Sequence, residues 1–245
     1  MNKIIKNIPN AITCLNLLMG CVALIFVFEG SKHLAAIFIG FSILFDFMDG
    51  FLARLLKAKS NIGKDLDSLS DLVSFGLVPA TVVFVYMLDS GNLPNISSVI
   101  WLAAVPAFLI TIFSAIRLAI FNNDLRQTDS FIGVPTPANA AFFMSFPLIL
   151  EYTTPGTPIY LAIELLTGNY FNMLLLVVIS SAMLVSNIPL FALKFKSFGI
   201  RENFISYLFL LITLLLVLIL FIQAIPLVVI FYIILSLVRN LIGMN

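Results

Sequence analysis

The chain is a series of long apolar runs separated by short polar breaks. Eight runs are long enough to cross a bilayer as helices, and they lie near residues 11–29, 34–56, 66–88, 98–121, 136–152, 170–193, 203–222 and 225–243. The breaks contain turn-forming residues such as Gly, Pro, Asn and Asp. Because no long polar linker divides the runs, we expect an all-α integral membrane protein that folds as one helical bundle.

The composition supports this class of protein. Hydrophobic residues make up 61% of the 245 residues and charged residues 10%, whereas soluble domains carry about 25% charged residues. Basic residues mark the cytoplasmic side of a membrane protein. With the N-terminus in the cytoplasm, the predicted spans place 12 of the 13 Lys and Arg residues on that side and only Lys32 outside. We therefore predict a multi-pass protein of the plasma or inner membrane with both termini in the cytoplasm.

Four carboxylates interrupt the second and third apolar runs at helical spacing. The residues that share one face of the second predicted helix are Asp46, Asp49, Gly50 and Ala53. Those that share one face of the third are Gly63, Asp67 and Asp71. If the two faces pack together, the four carboxylates converge beside three residues with little or no side chain, in a site that opens to the cytosol.

Such a cluster predicts bound cations. An ionised carboxylate near the bilayer centre costs roughly 2.5–3.5 kcal/mol on insertion scales, and neighbouring carboxylates also repel one another. Their oxygens are the ligands that Mg²⁺ and Mn²⁺ prefer, and two such ions about 3.5–4 Å apart would clamp a phosphoryl group. Two other interpretations remain open: buried ion pairs with the basic loop from Arg54 to Lys64, or a pathway for cation transport.

The acids belong to a longer pattern, Asp-x-x-Asp-Gly-x-x-Ala-Arg, eight residues, Gly-x-x-x-Asp-x-x-x-Asp, which runs from Asp46 to Asp71. At every specified position the chain resembles the CDP-alcohol phosphatidyltransferase family. The resemblance implies a six-helix catalytic core over residues 1–195, followed by a transmembrane hairpin over 196–245 with no assigned role. It also implies a homodimeric enzyme in which an alcohol displaces cytidine monophosphate (CMP) from a CDP-linked lipid.

The resemblance further implies roles for individual residues. The implied metal ligands are Asp46, Asp49, Asp67 and Asp71, of which Asp71 is also the catalytic base. The implied nucleotide-binding residues are Gly50, Ala53, Arg54, Gly63, Asn10 and Thr13. Helix capping or interhelical hydrogen bonding explains the three-residue spacing of Asn10, Thr13 and Asn16 equally well.

The segments around the acidic pattern indicate the acceptor alcohol. Residues 8–20, 66–80, 115–119 and 131–138 resemble the membrane-integral phosphatidylserine synthase branch of the family, which implies CDP-diacylglycerol and L-serine as substrates. Charge agrees, because no Lys or Arg lies between Asp71 and Arg117, and one arginine suits a carboxylate better than a phosphate dianion. We predict that Arg117 binds the serine carboxylate and that Ser74 lines the pocket.

Alternatives remain for both the function and the acceptor site. The chain could use another acceptor, such as glycerol 3-phosphate or an inositol derivative, or it could transport divalent cations. Arg117 could pair with Asp124 or with a lipid headgroup. The turn at residues 133–137 is expected to wall the acceptor site, and the chain departs from the branch at Ser70 and Asn139, where the branch has alanine.

Overall fold

The computed structural model describes residues 3–58, 60–94, 99–123, 130–191 and 203–242. Six charged residues that entered the sequence predictions lie outside these ranges: Lys59, Asp124, Arg126, Lys194, Lys196 and Arg201. The suggested pairing of Arg117 with Asp124 therefore stays a prediction.

The described part of the chain is almost entirely helical. Its α-helices are α1 (Lys3–Phe28), α2 (Lys32–Leu55), α3 (Gly63–Asp71), α4 (Val78–Asp89), α5 (Leu109–Asn123), α6 (Thr136–Tyr152), α7 (Pro158–Thr167), α8 (Tyr170–Leu184), α9 (Phe204–Leu220) and α10 (Ala224–Ile242). A π-helical turn, Leu72–Leu77, joins α3 to α4, and 3-10 segments precede α5 (Ile100–Phe108) and α10 (Phe221–Gln223). Two short strands, β1 (Ser130–Ile132) and β2 (Pro189–Phe191), pair antiparallel.

Several of these helices are long and apolar enough to cross a membrane. Among the described residues, five stretches qualify: Asn7–Phe28, Lys32–Leu55, Gly63–Asp89, Ile100–Asn123 and Phe204–Leu241. The pair α7 and α8, bent by 94°, makes a sixth if it is counted as one broken span. The prediction of an all-α, multi-pass membrane protein is therefore confirmed.

Two elements differ from the runs predicted from sequence. The first is α7, which lies between the fifth and sixth predicted runs, where the prolines and glycine of residues 155–158 had indicated a break. Pro158 instead begins the helix, where its missing N–H is not needed, and the Thr157 hydroxyl accepts a hydrogen bond from the Tyr160 amide. The second is the sixth run, predicted to reach residue 193. In the structure α8 ends at Leu184, and the residues that follow pair with β1.

The first three helices bring the polar positions together. A turn at Gly30, whose φ of +80° is in the left-handed region, reverses the chain between α1 and α2. α1 also packs along α3 and the π-helical turn. The polar residues of α1 consequently lie beside both helices that carry the acids. The apolar core lies on the other side of the π-helical turn, around the fully buried Phe75, Met87, Phe143 and Phe146.

The last two helices fold back on one another. The Phe209 ring of α9 lies 6.0 Å from the Phe231 ring of α10, with the two rings nearly parallel. Phe221, with a φ of +49°, lies at the reversal between them. The predicted domain boundary near residue 195 falls outside the described residues, so the division into a core and a C-terminal hairpin stays a prediction.

Candidate functional site

Three of the four carboxylates form one compact cluster. Asp46 and Asp49 on α2 and Asp67 on α3 each present a carboxylate oxygen, and these oxygens all lie within 4.8 Å of one another. Asp49 is only 7% exposed, while Asp46 and Asp67 are half-buried. The structure thus brings together acids from two helices that the helical spacing had placed on facing sides.

The fourth acid, Asp71, lies beside this cluster and interacts electrostatically with its three members. Its Oδ1 accepts a hydrogen bond of 3.2 Å from the side-chain amide of Asn16 on α1. An ionised carboxylate only accepts hydrogen bonds, so the NH₂ end of the Asn16 amide is the end that faces Asp71. The Ser42 hydroxyl lies beside the other end of the amide and beside the Asn16 backbone carbonyl. Asn16 and Ser42 are both completely buried.

Within the described residues, no ion pair joins Asp46, Asp49 or Asp67 to a protein cation. The ion pairs there join Lys32 to Asp89 and His33 to Glu151, neither of which involves the four acids. In the basic loop, Lys64 contacts the Asn122 carbonyl instead. The interpretation of the acids as buried ion pairs with Arg54, Lys57 or Lys64 is thus not supported by the structure.

The donor set fits a divalent metal ion. Asp67 Oδ1 is buried and has no hydrogen-bond partner in the structure. A buried carboxylate oxygen without a partner carries a large desolvation cost, which a bound cation would remove. Asp46, Asp49 and Asp67 supply carboxylate oxygens alone, the donor type that hard divalent cations prefer.

Polar residues at the start of α1 brace this cluster. The Thr13 hydroxyl lies 2.6 Å from Asp49 Oδ2. One turn earlier, the Asn10 amide donates to the Ser60 hydroxyl at 2.9 Å, in the loop that leads to α3. A Cβ built on Gly63 would lie 3.3 Å from Asn10 Oδ1, so these two residues are neighbours. Interhelical hydrogen bonding is present for Thr13, Asn10 instead bonds a loop residue, and the contact of both with a nucleotide stays a prediction.

The surface next to the acids on α2 is open. A Cβ built on Gly50 would meet no atom within 4 Å. Ala53 is half-buried, and Arg54 is exposed in the last turn of the helix. Two small residues and the exposed guanidinium of Arg54 therefore border the carboxylates on the side where a ligand could enter.

The π-helical turn Leu72–Leu77 follows Asp71 directly. A π-turn widens the helix and leaves some carbonyls without their usual partner; here the Thr111 hydroxyl donates to the Gly76 carbonyl at 3.2 Å. Ser74 lies within the turn, completely buried, and its hydroxyl donates to the Asn16 carbonyl at 3.2 Å. Ser74 thus contacts α1 in this structure, and its part in an acceptor pocket stays a prediction.

Arg117 lies inside the protein, only 6% exposed. Its guanidinium lies 5.5 Å from the centre of the Phe121 ring and interacts electrostatically with Asp71 and with Tyr232 of α10. Its Nε is buried without a hydrogen-bond partner. A buried guanidinium N–H that is left unpaired is costly, so Arg117 is poised to bind an anionic group close to the acids.

Other buried polar atoms without partners lie on the helices around Arg117. They are Ser114 Oγ on α5 and Thr136 Oγ1 and Asn139 Nδ2 on α6. Both helices pack against the π-helical turn. Asn139 is one of the two positions at which the sequence departs from the pattern expected for the phosphatidylserine synthase branch.

Sequence reasoning did not identify Ser42 or Tyr232. Both lie in predicted apolar runs that also hold other polar residues, so no signal in the sequence singles them out. Their partners lie 26 and 41 residues away along the chain, and spacing alone does not reveal these partners.

Comparisons with known proteins agree with the geometry. The sequence profile of the family described as CDP-alcohol phosphatidyltransferase matches residues 6–180 of this chain. Similar proteins named CDP-diacylglycerol–serine O-phosphatidyltransferase occur in Bacillus subtilis (34% identical over 156 residues), Methanocaldococcus jannaschii (34% over 146) and Helicobacter pylori strain J99 (33% over 134). The aligned segments cover 64%, 60% and 54% of this chain, and 80%, 62% and 53% of the respective relatives. The chain therefore spans about half the length of the Helicobacter relative.

Proposed function

Because this chain belongs to the CDP-alcohol phosphatidyltransferase family, we propose that it transfers the phosphatidyl group of CDP-diacylglycerol to the hydroxyl of L-serine. The products are phosphatidylserine and CMP. One observation carries the proposal: three acids of the pattern fold into one cluster, and the fourth, Asp71, lies beside it within electrostatic range of a buried arginine whose Nε has no partner. The names of the similar proteins from Bacillus, Methanocaldococcus and Helicobacter support serine as the acceptor.

The carboxylate cluster is the proposed metal site. Asp46, Asp49 and Asp67, together with the neighbouring Asp71, would hold Mg²⁺ or Mn²⁺, with two ions as the expected number. Such ions would neutralise the negative charge on the diphosphate of the donor lipid. The unpaired Asp67 Oδ1 supports this assignment, as does the lack, among the described residues, of an ion pair from a protein cation to Asp46, Asp49 or Asp67.

Asp71 is the proposed catalytic base. The serine hydroxyl must lose its proton as its oxygen attacks the phosphorus that bears diacylglycerol, and a carboxylate within hydrogen-bond reach can accept that proton. A new serine-oxygen-to-phosphorus bond forms, the bond from phosphorus to the CMP oxygen breaks, and CMP leaves. Asn16 supports this role because its amide holds one oxygen of Asp71 and leaves the other for the hydroxyl.

Arg117 is the proposed binding residue for the serine carboxylate, with Ser74 at the pocket wall. A planar guanidinium matches a carboxylate through two parallel hydrogen bonds. The buried Nε without a partner supports this assignment, and so does the electrostatic interaction with Asp71. The hydroxyl and the carboxylate of serine lie close together in one small molecule, so the residues that bind them must also be neighbours.

The nucleotide would lie on the open surface of α2 and the start of α3. Gly50, Ala53 and Gly63 would allow close approach of the cytidine moiety to the backbone, and Arg54 would contact the phosphates. Asn10 and Thr13, which lie next to Gly63 and Asp49, would complete this surface.

The site is proposed to open to the cytoplasm. Among the described residues, Arg54, Lys57 and Lys64 flank the end of the bundle that carries the acids, whereas Lys32 lies beside Asp89 at the other end. This asymmetry supports a cytoplasmic active site and cytoplasmic termini. A homodimer is the assembly that we propose from family membership.

The test is CMP release from CDP-diacylglycerol by the purified full-length protein in detergent, with Mg²⁺ or Mn²⁺ and each acceptor in turn. We expect release with L-serine, with phosphatidylserine as the lipid product, and no release with glycerol 3-phosphate or myo-inositol. Release with one of those acceptors would keep the transferase chemistry and overturn the choice of serine. No release with any acceptor and metal, combined with cation flux in proteoliposomes, would overturn the enzyme in favour of a transporter.

A further inference from the structure

The C-terminal hairpin, α9 and α10, attaches to the rest of the protein through strand β2. The Tyr232 hydroxyl donates to the Phe191 carbonyl at 2.8 Å, and the Asn240 amide donates to the Pro189 carbonyl at 2.7 Å. The two bonds engage the first and last residues of the three-residue strand. A helix that only anchors the chain in lipid would not need polar contacts to one particular strand.

Aromatic packing fixes the same contact. The Phe191 ring lies 5.0 Å from the Tyr232 ring and 5.6 Å from the Phe209 ring, in edge-to-face arrangements. Such pairs stabilise a contact beyond the area that they bury. Phe191 is 3% exposed and Leu190 1% exposed, although both lie in the connection between α8 and α9.

Strand β2 in turn holds the segment that leads into α6. Ile132 of β1 pairs with Pro189, and the Gly133 amide donates to the Ile188 carbonyl at 3.0 Å. The Val134 amide donates to the Met183 carbonyl at the end of α8. These bonds fix the start of α6, which carries the unpartnered Thr136 and Asn139.

Tyr232 also lies on the side of the proposed acceptor site, within electrostatic range of Arg117. The Arg117 guanidinium lies 5.5 Å from the centre of the Phe121 ring, and its Nε has no hydrogen-bond partner. The residue that fastens the hairpin to β2 therefore lies on the same side of the bundle as the buried guanidinium.

We propose that the C-terminal hairpin forms one wall of the acceptor pocket, and that Tyr232 is a positioning residue that holds β2, and through β2 the start of α6, in place for an acceptor with a carboxylate. This proposal rests on the proposed function in taking Arg117 as the acceptor-binding residue. It gives the hairpin, which lies outside the family match over residues 6–180, a part in substrate selection.

The test compares two Tyr→Phe variants of the full-length protein. Tyr232→Phe removes the hydroxyl and keeps the ring. Tyr170→Phe is the matched control, since the buried Tyr170 hydroxyl likewise donates to a backbone carbonyl, that of Ala103, at 2.8 Å. Tyr170 begins α8, whose 15 residues end near the strand pair, so the control lies about 20 Å from β2 at 1.5 Å per residue.

We expect Tyr232→Phe to raise the KM for L-serine by at least about fivefold, the effect of one misplaced hydrogen-bonding group. The KM for CDP-diacylglycerol should stay within twofold of the parent value, and Tyr170→Phe should change neither constant. Adding Asn240→Ala to Tyr232→Phe should raise the serine KM further. The proposal would be overturned if the serine KM were unchanged in Tyr232→Phe and in the double variant with Asn240→Ala. It would also be overturned if the KM values for serine and for CDP-diacylglycerol rose in parallel. Either result would leave the hairpin as a membrane anchor.

The outcome is separable from that of the proposed function. If the parent protein uses a different acceptor, the proposed function fails, and the KM for that acceptor is measured in the same variants. A selective rise in that KM would support the proposal that the hairpin forms a wall of the acceptor pocket, and no rise would overturn that proposal. If the parent protein uses serine and the variants behave as the parent does, the proposed function stands and the role of the hairpin falls.

Discussion

The side-chain amide of Asn16 donates to Asp71 across 3.2 Å, and so joins the first helix to the acid that lies beside the carboxylate cluster. Ser42 contacts the other end of that amide, which makes Asp71 one end of a chain of buried polar contacts through three helices. A base held in this way does not have to be ordered each time a substrate binds, which is how positioned groups lower a reaction barrier.

The first prediction concerns this contact. Asn16→Leu keeps the approximate volume and removes the donor, so we expect kcat with serine to fall by about tenfold or more, as for loss of a hydrogen bond to a charged group. The KM for serine should change less. Asn172→Leu is the control, because the Asn172 amide donates to the Leu165 carbonyl at an exposed position. Equal kcat values for the Asn16 variant and the parent protein, at equal thermal stability, would contradict the role of Asn16.

The second prediction concerns the metal site. Asp67→Asn removes one charge from the cluster while keeping the shape of the side chain, and we expect it to weaken Mn²⁺ binding and lower activity by more than about a hundredfold. Binding is measured by isothermal titration calorimetry in detergent, and activity by CMP release. Asp65→Asn is the matched control, since Asp65 is exposed two residues away on the same helix. Loss of Mn²⁺ binding in the Asp65 variant alone would place the metal elsewhere.

The third prediction concerns Arg117. Arg117→Ala should raise the KM for serine by about tenfold or more and leave the KM for CDP-diacylglycerol nearly unchanged, because only the acceptor loses its charge partner. Arg117→Lys keeps the charge but lacks the planar fork, so it should recover only part of the affinity. Steady-state kinetics with each substrate varied separately provide the measurement. A similar rise in both KM values would show that Arg117 serves the fold or the donor site instead.

The fourth prediction concerns Gly133, whose φ of +75° is in the left-handed region. A Cβ on this residue would collide with the Leu184 carbonyl, so Gly133→Ala combines backbone strain with a steric clash. We expect it to lower the free energy of unfolding by more than about 2 kcal/mol, measured as thermal stability in detergent. Gly156→Ala separates the two causes, since Gly156 has a φ of +88° but open space around it. If both variants lose the same stability, the clash contributes nothing.

The acid cluster was predictable from sequence because its geometry is local to two helices. Residues four apart on a helix share a face whatever surrounds them, so Asp67 and Asp71 could be placed before their neighbours were known. The contact of Tyr232 with Phe191 could not be predicted in this way, because it depends on how a strand of three residues pairs with another one about 60 residues earlier. The same long-range pairing ends α8 at Leu184, whereas hydrophobicity alone continues to residue 193.

The π-helical turn between Asp71 and Val78 has a consequence for how related chains are compared. A π-turn accommodates one more residue than an α-helical turn, and each residue of a helix advances the side-chain direction by about 100°. Loss of one residue within Leu72–Leu77 would therefore restore an ordinary α-helical turn and keep the acids of α3 facing α2, whereas loss of one residue within α3 itself would turn part of the acidic face away. A single-residue gap in an alignment of this region belongs inside the turn, and a related chain that has such a gap should keep its carboxylate cluster.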